Sequence, residues 1–411
     1  MADIEKEMEE VRKISYDEMI AKHPHFEGVI SRKNWEHIGY SDSATVGFFK
    51  KLWRDNLREN IANGLWKKHG PLRKDCFAMG RNKAVIGIGA GASLKKNYAL
   101  LKRLVLEDGR KDWKDRDFVF IASNHMFKPL LNDGVIPDFV ILADASDVVK
   151  EHLLKDIPAN GQNTVLIAGL QCDPSVLKKW SKQGRSIRFY ISASEHQESA
   201  FREVSKENPK FYLAMQGGNV LNSAWSMGMM VFRSTVFMAL GNDLSFPVDQ
   251  DVDKRRDGYY FDRDYSANIA NKRDEAKSEK MWMAFELERT RIITGDANKK
   301  YNIRLYPVGT TSSLWVYKTW MEANVLGSAF KNIPYHYYNC TEGGIAGVMC
   351  KDDSNEGLVK EENWFMLDDV CPRYHTRMFE DAIDEFLRAK GALKWGIHAV
   401  APDATSLVRA A

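Results

Sequence analysis

Hydrophobic positions in this chain follow two periods. Up to about residue 75 they recur at helical spacing: Ile4, Met8 and Val11, then Phe48, Leu52 and Leu57, with charged residues between them. Trp35, Trp53 and Trp66 are expected to bury part of this stretch against the rest, as an accessory layer without chemistry of its own. From Lys83 the apolar residues gather into short runs, Ala84–Ile88, Phe118–Ala122, Phe139–Leu142, Val165–Ala168, Arg188–Ile191 and Tyr212–Met215. Each has the length of a buried strand, and several alternate with helical patterns. Leu94, Tyr98, Leu101 and Val105 step by four, three and four, which predicts one face of a helix with Ser93 as its N-cap. Strand, glycine turn, helix and strand in that order predict an α/β fold with a mostly parallel sheet and right-handed crossovers.

Further along, a helix is expected from about Val220 to Arg233 and a strand near Thr235–Leu240. The segment Asp249–Lys280 is dense in both signs of charge, with Tyr259, Tyr260, Phe261 and Tyr265 embedded. A solvated surface insertion is the favoured reading, ahead of a flap that gates substrate. Ser313–Leu326 reads as helix, Tyr335–Cys340 as strand and Tyr374–Lys390 as helix. The expected division is a helical N-terminal region over 1–78, a nucleotide-binding catalytic domain over 79–350 with a charged insertion at about 249–300, and a helical C-terminal extension over 351–411.

Composition narrows the class. Hydrophobic residues make up 44% and charged residues 28%, enough for a sizeable core, and the formal net charge is +3. A protein whose main task is coating nucleic acid carries a larger basic excess, so that class is set aside, although DNA stays open as a substrate. Five cysteines, Cys76, Cys172, Cys340, Cys350 and Cys371, are widely spaced and form no CxxC pair, which argues against structural zinc and for reduced thiols. The charged start of the chain lacks a signal-peptide core, and no apolar run approaches the ~20 residues of a spanning helix. A cytoplasmic protein is expected.

The strongest local signal is the run Val85 to Leu94, with Gly87, Gly89 and Gly91 between a strand and a helix. Glycines let backbone approach a ligand closely, and the helix points free N–H groups at that space, so phosphate is the natural occupant. The dinucleotide fingerprint requires an acidic residue at the end of the second strand, and that run ends Ser123-Asn124-His125. No Gly-Lys-Ser/Thr follows, which rejects a P-loop. Asn124, Asp144, Asp243 and Glu342 stand at expected strand ends, the edge where open α/β sheets hold ligands. Asp243 or Glu342 is the candidate general base, and His125 a candidate for proton transfer that competes with a structurally bonded histidine. His336 and His375 are weaker candidates. Asn219 opens a helix, either as its cap or as a donor contact. Two Asp-x-Asp spacings in Asp249-Gln250-Asp251-Val252-Asp253 suit magnesium or manganese, but such a pattern arises readily in a charge-rich stretch, and no metal ligand is assigned.

Several of these segments, in order, resemble the motility accessory factor (Maf) flagellin glycosyltransferases and the MptE-like 6-hydroxymethylpterin diphosphokinases of the same superfamily. The carriers are Gly89-Ala90-Gly91-Ala92-Ser93-Leu94-Lys95-Lys96-Asn97, with Ala92 where the family has proline, and Lys128 to Phe139 with Asp144. Gly217-Gly218-Asn219, Gly241-Asn242-Asp243-Leu244, Thr310-Thr311-Ser312 and Asn339 to Gly344 complete the series, over roughly residues 80 to 350. The resemblance implies a Rossmann-like, sialyltransferase-like fold. With the positions above, donor binding is expected of Gly89, Ala90, Gly91, Ser93, Asn97, Asn124, Asp144, Asn219 and Thr311.

The function expected is therefore transfer of a sugar from a nucleotide-sugar donor to an acceptor hydroxyl, without a strict need for a divalent metal. The acceptor would be a protein serine or threonine, or a hydroxymethylated pyrimidine in DNA as in phage base modification. The alternatives are an ATP-dependent pterin-type diphosphokinase and a non-catalytic nucleotide-binding module.

Overall fold

Every residue of Ala84–Ile88 is apolar and buried, the pattern of a strand covered on both faces. This strand, β1, is central to a nine-stranded sheet. The computed structural model describes residues 15–22, 24, 27, 31–145, 149–192, 198–211, 213–214, 217–247, 282–292, 300–351 and 360–393. The expected helical positions Ile4, Met8 and Val11, the charged segment Asp249–Lys280 with its Asp-x-Asp spacings, and residues 394–411 lie outside it.

The strands are β1 (Ala84–Ile88), β2 (Phe118–Ser123), β3 (Phe139–Leu142), β4 (Val165–Gly169), β5 (Ile187–Ser192), β6 (Leu213–Ala214) and β7 (Val236–Leu240). They continue with β8 (Phe246–Pro247), β9 (Trp282–Ile292), β10 (Lys300–Thr310), β11 (His336–Asn339), β12 (Val348–Cys350), β13 (Trp364–Met366) and β14 (Tyr374–Thr376). The main sheet runs β14-β11-β7-β1-β2-β3-β4-β5-β6, and all its pairings are parallel. This is the expected α/β, Rossmann-like arrangement. The chain steps outward from β1 to β6, then returns to place β7 on the other side of β1.

Alternation within β2 separates the two faces. Phe118, Phe120 and Ala122 pack with Leu94, Leu101 and Val105 of the helix Leu94–Gly109, and with Phe379 and Ile383 of the helix Phe379–Leu393. Val119 and Ile121 pack on the opposite face with Ala224, Trp225 and Met227 of the helix Val220–Met230. A separate core under β4 and β5 takes Leu57 of the long helix Arg32–Ala62, together with Trp66 and Trp180.

Three expectations change. Tyr374–Thr376 is a strand, with Tyr374 beside Tyr337 of β11 and their rings stacked at 5.4 Å; the last helix begins only at Phe379. The expected boundary at 350/351 therefore falls inside one packed unit, because β14 and the helix after it belong to the main layer. The long strand β9 lies within the region read as an insertion and pairs antiparallel with β10, which follows that region, and β8 pairs with β10. The N-terminal layer also acts on the sheet's edge. Asn56 Nδ2 donates to the carbonyls of Ala145 and Gln171 at 3.1 Å each, and Asn60 Nδ2 to those of Leu170 and Cys172 at 2.8 Å each.

Candidate functional site

β1 and β7 are neighbours, and their helices lie on opposite faces of the sheet. The helix Leu94–Gly109 follows β1 on one face, and the helix Val220–Met230 precedes β7 on the other. Their carboxyl ends thus form the reversal point at which open α/β sheets leave a crevice.

The loop after β1 meets its neighbour across this crevice. Gly89 N–H donates to the Leu240 carbonyl at 2.8 Å and Gly91 N–H to that of Gly241 at 2.9 Å. A Cβ on Gly89 would stand 2.4 Å from the Gly241 oxygen, and one on Gly91 2.3 Å from Asp243 Oδ1. These glycines admit the 241–243 loop. Ser93 N–H donates to Asp243 Oδ2 at 2.9 Å, and the Ser93 hydroxyl donates to Oδ1. Ser93 is the N-cap residue as expected, but its side chain does not cap the helix: with φ −59° and ψ −23°, its hydroxyl bonds Asp243 instead. An anion at a helix N-terminus is favoured by the aligned peptide dipoles, and a protein carboxylate occupies that position here. Leu94, Lys95 and Lys96 N–H groups turn back to the carbonyls of Gly91, Ala92 and Ser93. Ala90, Gly91 and Ala92 stay partly exposed.

Other candidates join the same end of the sheet. Asn97 Nδ2 donates to the Cys340 carbonyl at 3.1 Å, tying the helix to the end of β11. Glu342 follows β11 with φ 55°, a left-handed conformation unusual for a residue with a side chain. Its Oε1 accepts the Phe379 N–H at 2.9 Å, while the Lys96 ammonium donates to its carbonyl. Gly89–Ser93, Asn97, Asp243 and Glu342 thus form one bonded constellation.

Asn124 and His125 begin the helix Asn124–Asn132 directly after β2, and Asp144 stands exposed after β3. His125 lies 4.6 Å from His152, ring centre to ring centre. Burial, with a smaller push from His152, holds His125 down to about 3. It is neutral at pH 7 and a weak base, poorly matched to proton abstraction near neutrality. His336 and His375 share a 2.8 Å hydrogen bond, and Arg373 reaches His336 at 2.6 Å. Burial is the largest influence lowering both, His375 to about 4. His336 opens β11, at the amino end of the strand and away from the crevice.

Asn219 and Thr311 both act as helix caps. Asn219 Oδ1 accepts the Asn222 N–H at 2.8 Å, and Thr311 Oγ1 accepts the Leu314 N–H at 3.3 Å at the head of the helix Ser312–Phe330. Asn222 links the two, donating through Nδ2 to the carbonyls of Gly217 at 2.7 Å and Tyr317 at 2.9 Å.

The sequence reading passed over Ser123, Gln171 and Asn222, although Ser123 and Gln171 follow apolar runs as Asn124 and Asp144 do. It also passed over Lys318 and Glu322, a buried pair 2.6 Å apart on the helix Ser312–Phe330, both side chains only 2% exposed. Glu322 Oε1 accepts the Gly347 N–H at 2.7 Å, and burial pushes its carboxyl up against the opposing pull of Lys318. Charges four apart in a largely apolar helix were the available signal. Among the described residues no group of three or more His, Cys, Asp or Glu is placed to hold a metal ion. No described helix is long and apolar enough to cross a membrane, and none of the five cysteines is in a disulfide.

The fold defines an α/β protein of Rossmann-like architecture. The family model of 6-hydroxymethylpterin diphosphokinase MptE-like proteins matches residues 55–249, the segment from the end of the N-terminal helix to just beyond β8. The likeness to the MptE-like and Maf superfamily read from the motifs is borne out by this match. No curated protein matches the chain. Among solved structures, the Maf glycosyltransferase from Magnetospirillum magneticum AMB-1 is similar at 13% identity with a TM-score of 0.39. That match covers 76% of this chain and 37% of the other, so this chain spans well under half of its length.

Proposed function

We propose that the chain is a glycosyltransferase that takes a sugar from a nucleotide donor bound at the carboxyl edge of β1, β2, β3 and β7. The observation that carries this reading is the β1/β7 reversal in the sheet, with the helices starting at Leu94 and Val220 on its two sides. Partly exposed backbone at Ala90 to Ala92 and the amide of Asn124 suit a nucleotide's phosphate and ribose. They also suit the negative charge that develops on the leaving nucleotide.

Of the two carboxylates weighed as base, Glu342 fits better. Asp243 spends both oxygens on Ser93, whereas Glu342 commits one oxygen to Phe379 and holds a left-handed backbone of the kind that gathers at functional sites. Asp243 then positions the two loops. Ser93 and Asn97 support the crevice through Asp243 and Cys340, and Asp144, Asn219 and Thr311 line its approaches. The acceptor hydroxyl belongs to a protein side chain or to a hydroxymethylated pyrimidine in DNA, and the site is cytoplasmic on this reading. Magnesium or manganese is compatible with the transfer without being required.

The family name favours a second reading, diphosphate transfer from ATP to a pterin. Thermal unfolding with CMP, UDP, GDP, their sugars and ATP, each with and without magnesium, separates the two. A ligand at 100 times its Kd stabilises the native state by ~2.7 kcal/mol. The transferase reading expects a raised midpoint with a pyrimidine or guanine nucleotide or its sugar. A rise confined to ATP with magnesium would establish the diphosphokinase reading instead. No rise with any nucleotide would leave a fold without this chemistry.

A further inference from the structure

Buried polar atoms without partners are costly, and in a native protein each needs a reason. Among the described residues, several gather on one face of the sheet, the face covered by the helix Val220–Met230. Ser123 ends β2 in extended conformation, and alternation puts it with Val119 and Ile121 on that face. It is 6% exposed, and its hydroxyl has no partner. Gln171 follows β4 at 1% exposure; its carboxamide folds over Gly169, where a Cβ would meet it at 2.3 Å. Its Oε1 has no partner, and Nε2 makes only a long 3.4 Å contact with the Ala143 carbonyl. From above, Asn222 Oδ1, Asn219 Nδ2 and, one turn below Asn222, Ser226 Oγ are likewise unpartnered.

These groups share two properties. They are all uncharged, and together they offer acceptors, a donor and two hydroxyls that serve as either. The segments entering this edge reinforce the first property. Among the described residues there, Ser123 to His125, Ala143 to Ala145, Gly169 to Ser175 and Gly217 to Asn222 contain neither lysine nor arginine, and the charged residues they do contain, Asp144 and Asp173, are acidic. A carboxylate or phosphate would find no cationic side chain among them, whereas the hydroxyls of a sugar ring both donate and accept.

We propose that Ser123, Gln171, Asn219 and Asn222 form the subsite for an uncharged sugar ring of the donor, and that the chain therefore selects a neutral sugar over an acidic one. This rests on the nucleotide-sugar reading above. Gln171 is well set for the task, since Asn56 holds its backbone carbonyl. Asn222 is fixed by its two bonds through Nδ2, which leaves Oδ1 directed by the protein itself.

The test exploits the missing partners. Ser123→Ala removes a hydroxyl that no protein group answers, and Gln171→Met an unanswered oxygen with only the long Nε2 contact to Ala143, so the unfolding midpoint is expected to stay level or rise. Affinities of the full chain and both variants for UDP, GDP, UDP-glucose, GDP-mannose and UDP-glucuronate are then measured by calorimetry. The expected result is a loss of about three- to tenfold for a neutral sugar nucleotide in each variant, the worth of one hydrogen bond. UDP-glucuronate is expected to bind the unaltered chain less tightly than UDP-glucose. A loss limited to the sugar nucleotide supports the subsite, and a loss shared equally by the bare nucleotide would overturn it by assigning these groups to the ribose. Unaltered affinities in both variants, or preference for the glucuronate, would overturn the subsite while leaving nucleotide binding intact. Failure of the unaltered chain to bind any of the five would sink the nucleotide reading and the subsite with it.

Discussion

Lys318→Met is expected to destabilise the protein by about 3–5 kcal/mol, the usual result of stripping one partner from a buried ion pair. The ammonium of Lys318 has Glu322 at 2.6 Å and lies 4.8 Å from the centre of the Trp315 ring. Once the lysine is gone, Glu322 keeps only the Gly347 N–H among its favourable influences, and burial then governs it. Its folded-state pKa rises further above the unfolded value, so the folded variant holds a proton that the unfolded chain has released. Stability is then fullest below about pH 4.5 and falls as pH rises toward the folded pKa. Urea unfolding at pH 5 and pH 8 checks both parts, with the larger deficit at pH 8. A double variant, Lys318→Met with Glu322→Leu, is expected to recover most of the loss, because two apolar side chains of similar volume replace a desolvated pair. Equal midpoints for the single variant and the unaltered chain would remove the pair from the stability account.

Asp243→Ala is expected to cost about 2–4 kcal/mol. Two hydrogen bonds from Ser93 end on this carboxylate, and bonds to charged groups contribute about 1.5–3 kcal/mol each, less than additively. The loss has a second consequence, because the carboxylate pins the 241–243 loop against Gly89 and Gly91. Gly91→Ala tests the same contact from the other side: its Cβ would meet Asp243 Oδ1 at 2.3 Å and the Gly241 carbonyl oxygen at 2.8 Å, and one loop must move. Both variants are expected to unfold at lower urea and to bind nucleotide more weakly. Asp243→Asn, which keeps one acceptor oxygen, is expected to fall between. Full stability in Asp243→Ala would show that the two loops hold together without it.

Much of the sheet was legible because parallel strands covered on both faces must be apolar throughout. β1, β2, β3, β4 and β7 announce themselves that way, whereas β11, His336–Asn339, is polar at both ends and only half buried. β14 was hidden inside a helical reading, since Tyr374 and Thr376 also fit the start of an amphipathic turn. Only its pairing with β11 and the stacking of Tyr374 on Tyr337 distinguish it. The β9–β10 pair was missed because Glu286, Glu288, Arg289 and Arg291 gave the stretch the look of a solvated insertion. The glycine loop was located correctly as the turn after β1, but its partner was not foreseeable. Asp243 lies 150 residues from Ser93, and no local rule connects a serine to a carboxylate at that distance in sequence. Glu342 and Asp243 were equal candidates in the sequence, and only the structure shows that Asp243 accepts two hydrogen bonds from Ser93 while Glu342 accepts one from Phe379.

Hydrogen exchange on the full chain, with and without the best-binding nucleotide, tests the site most directly. The account predicts added protection over 89–97, 123–125 and 217–222, the segments gathered at the β1/β7 reversal and along the rim beside it. Protection confined to other segments, such as the cavity of about 550 Å³ lined by Lys150, Lys155 and Lys179, would contradict it.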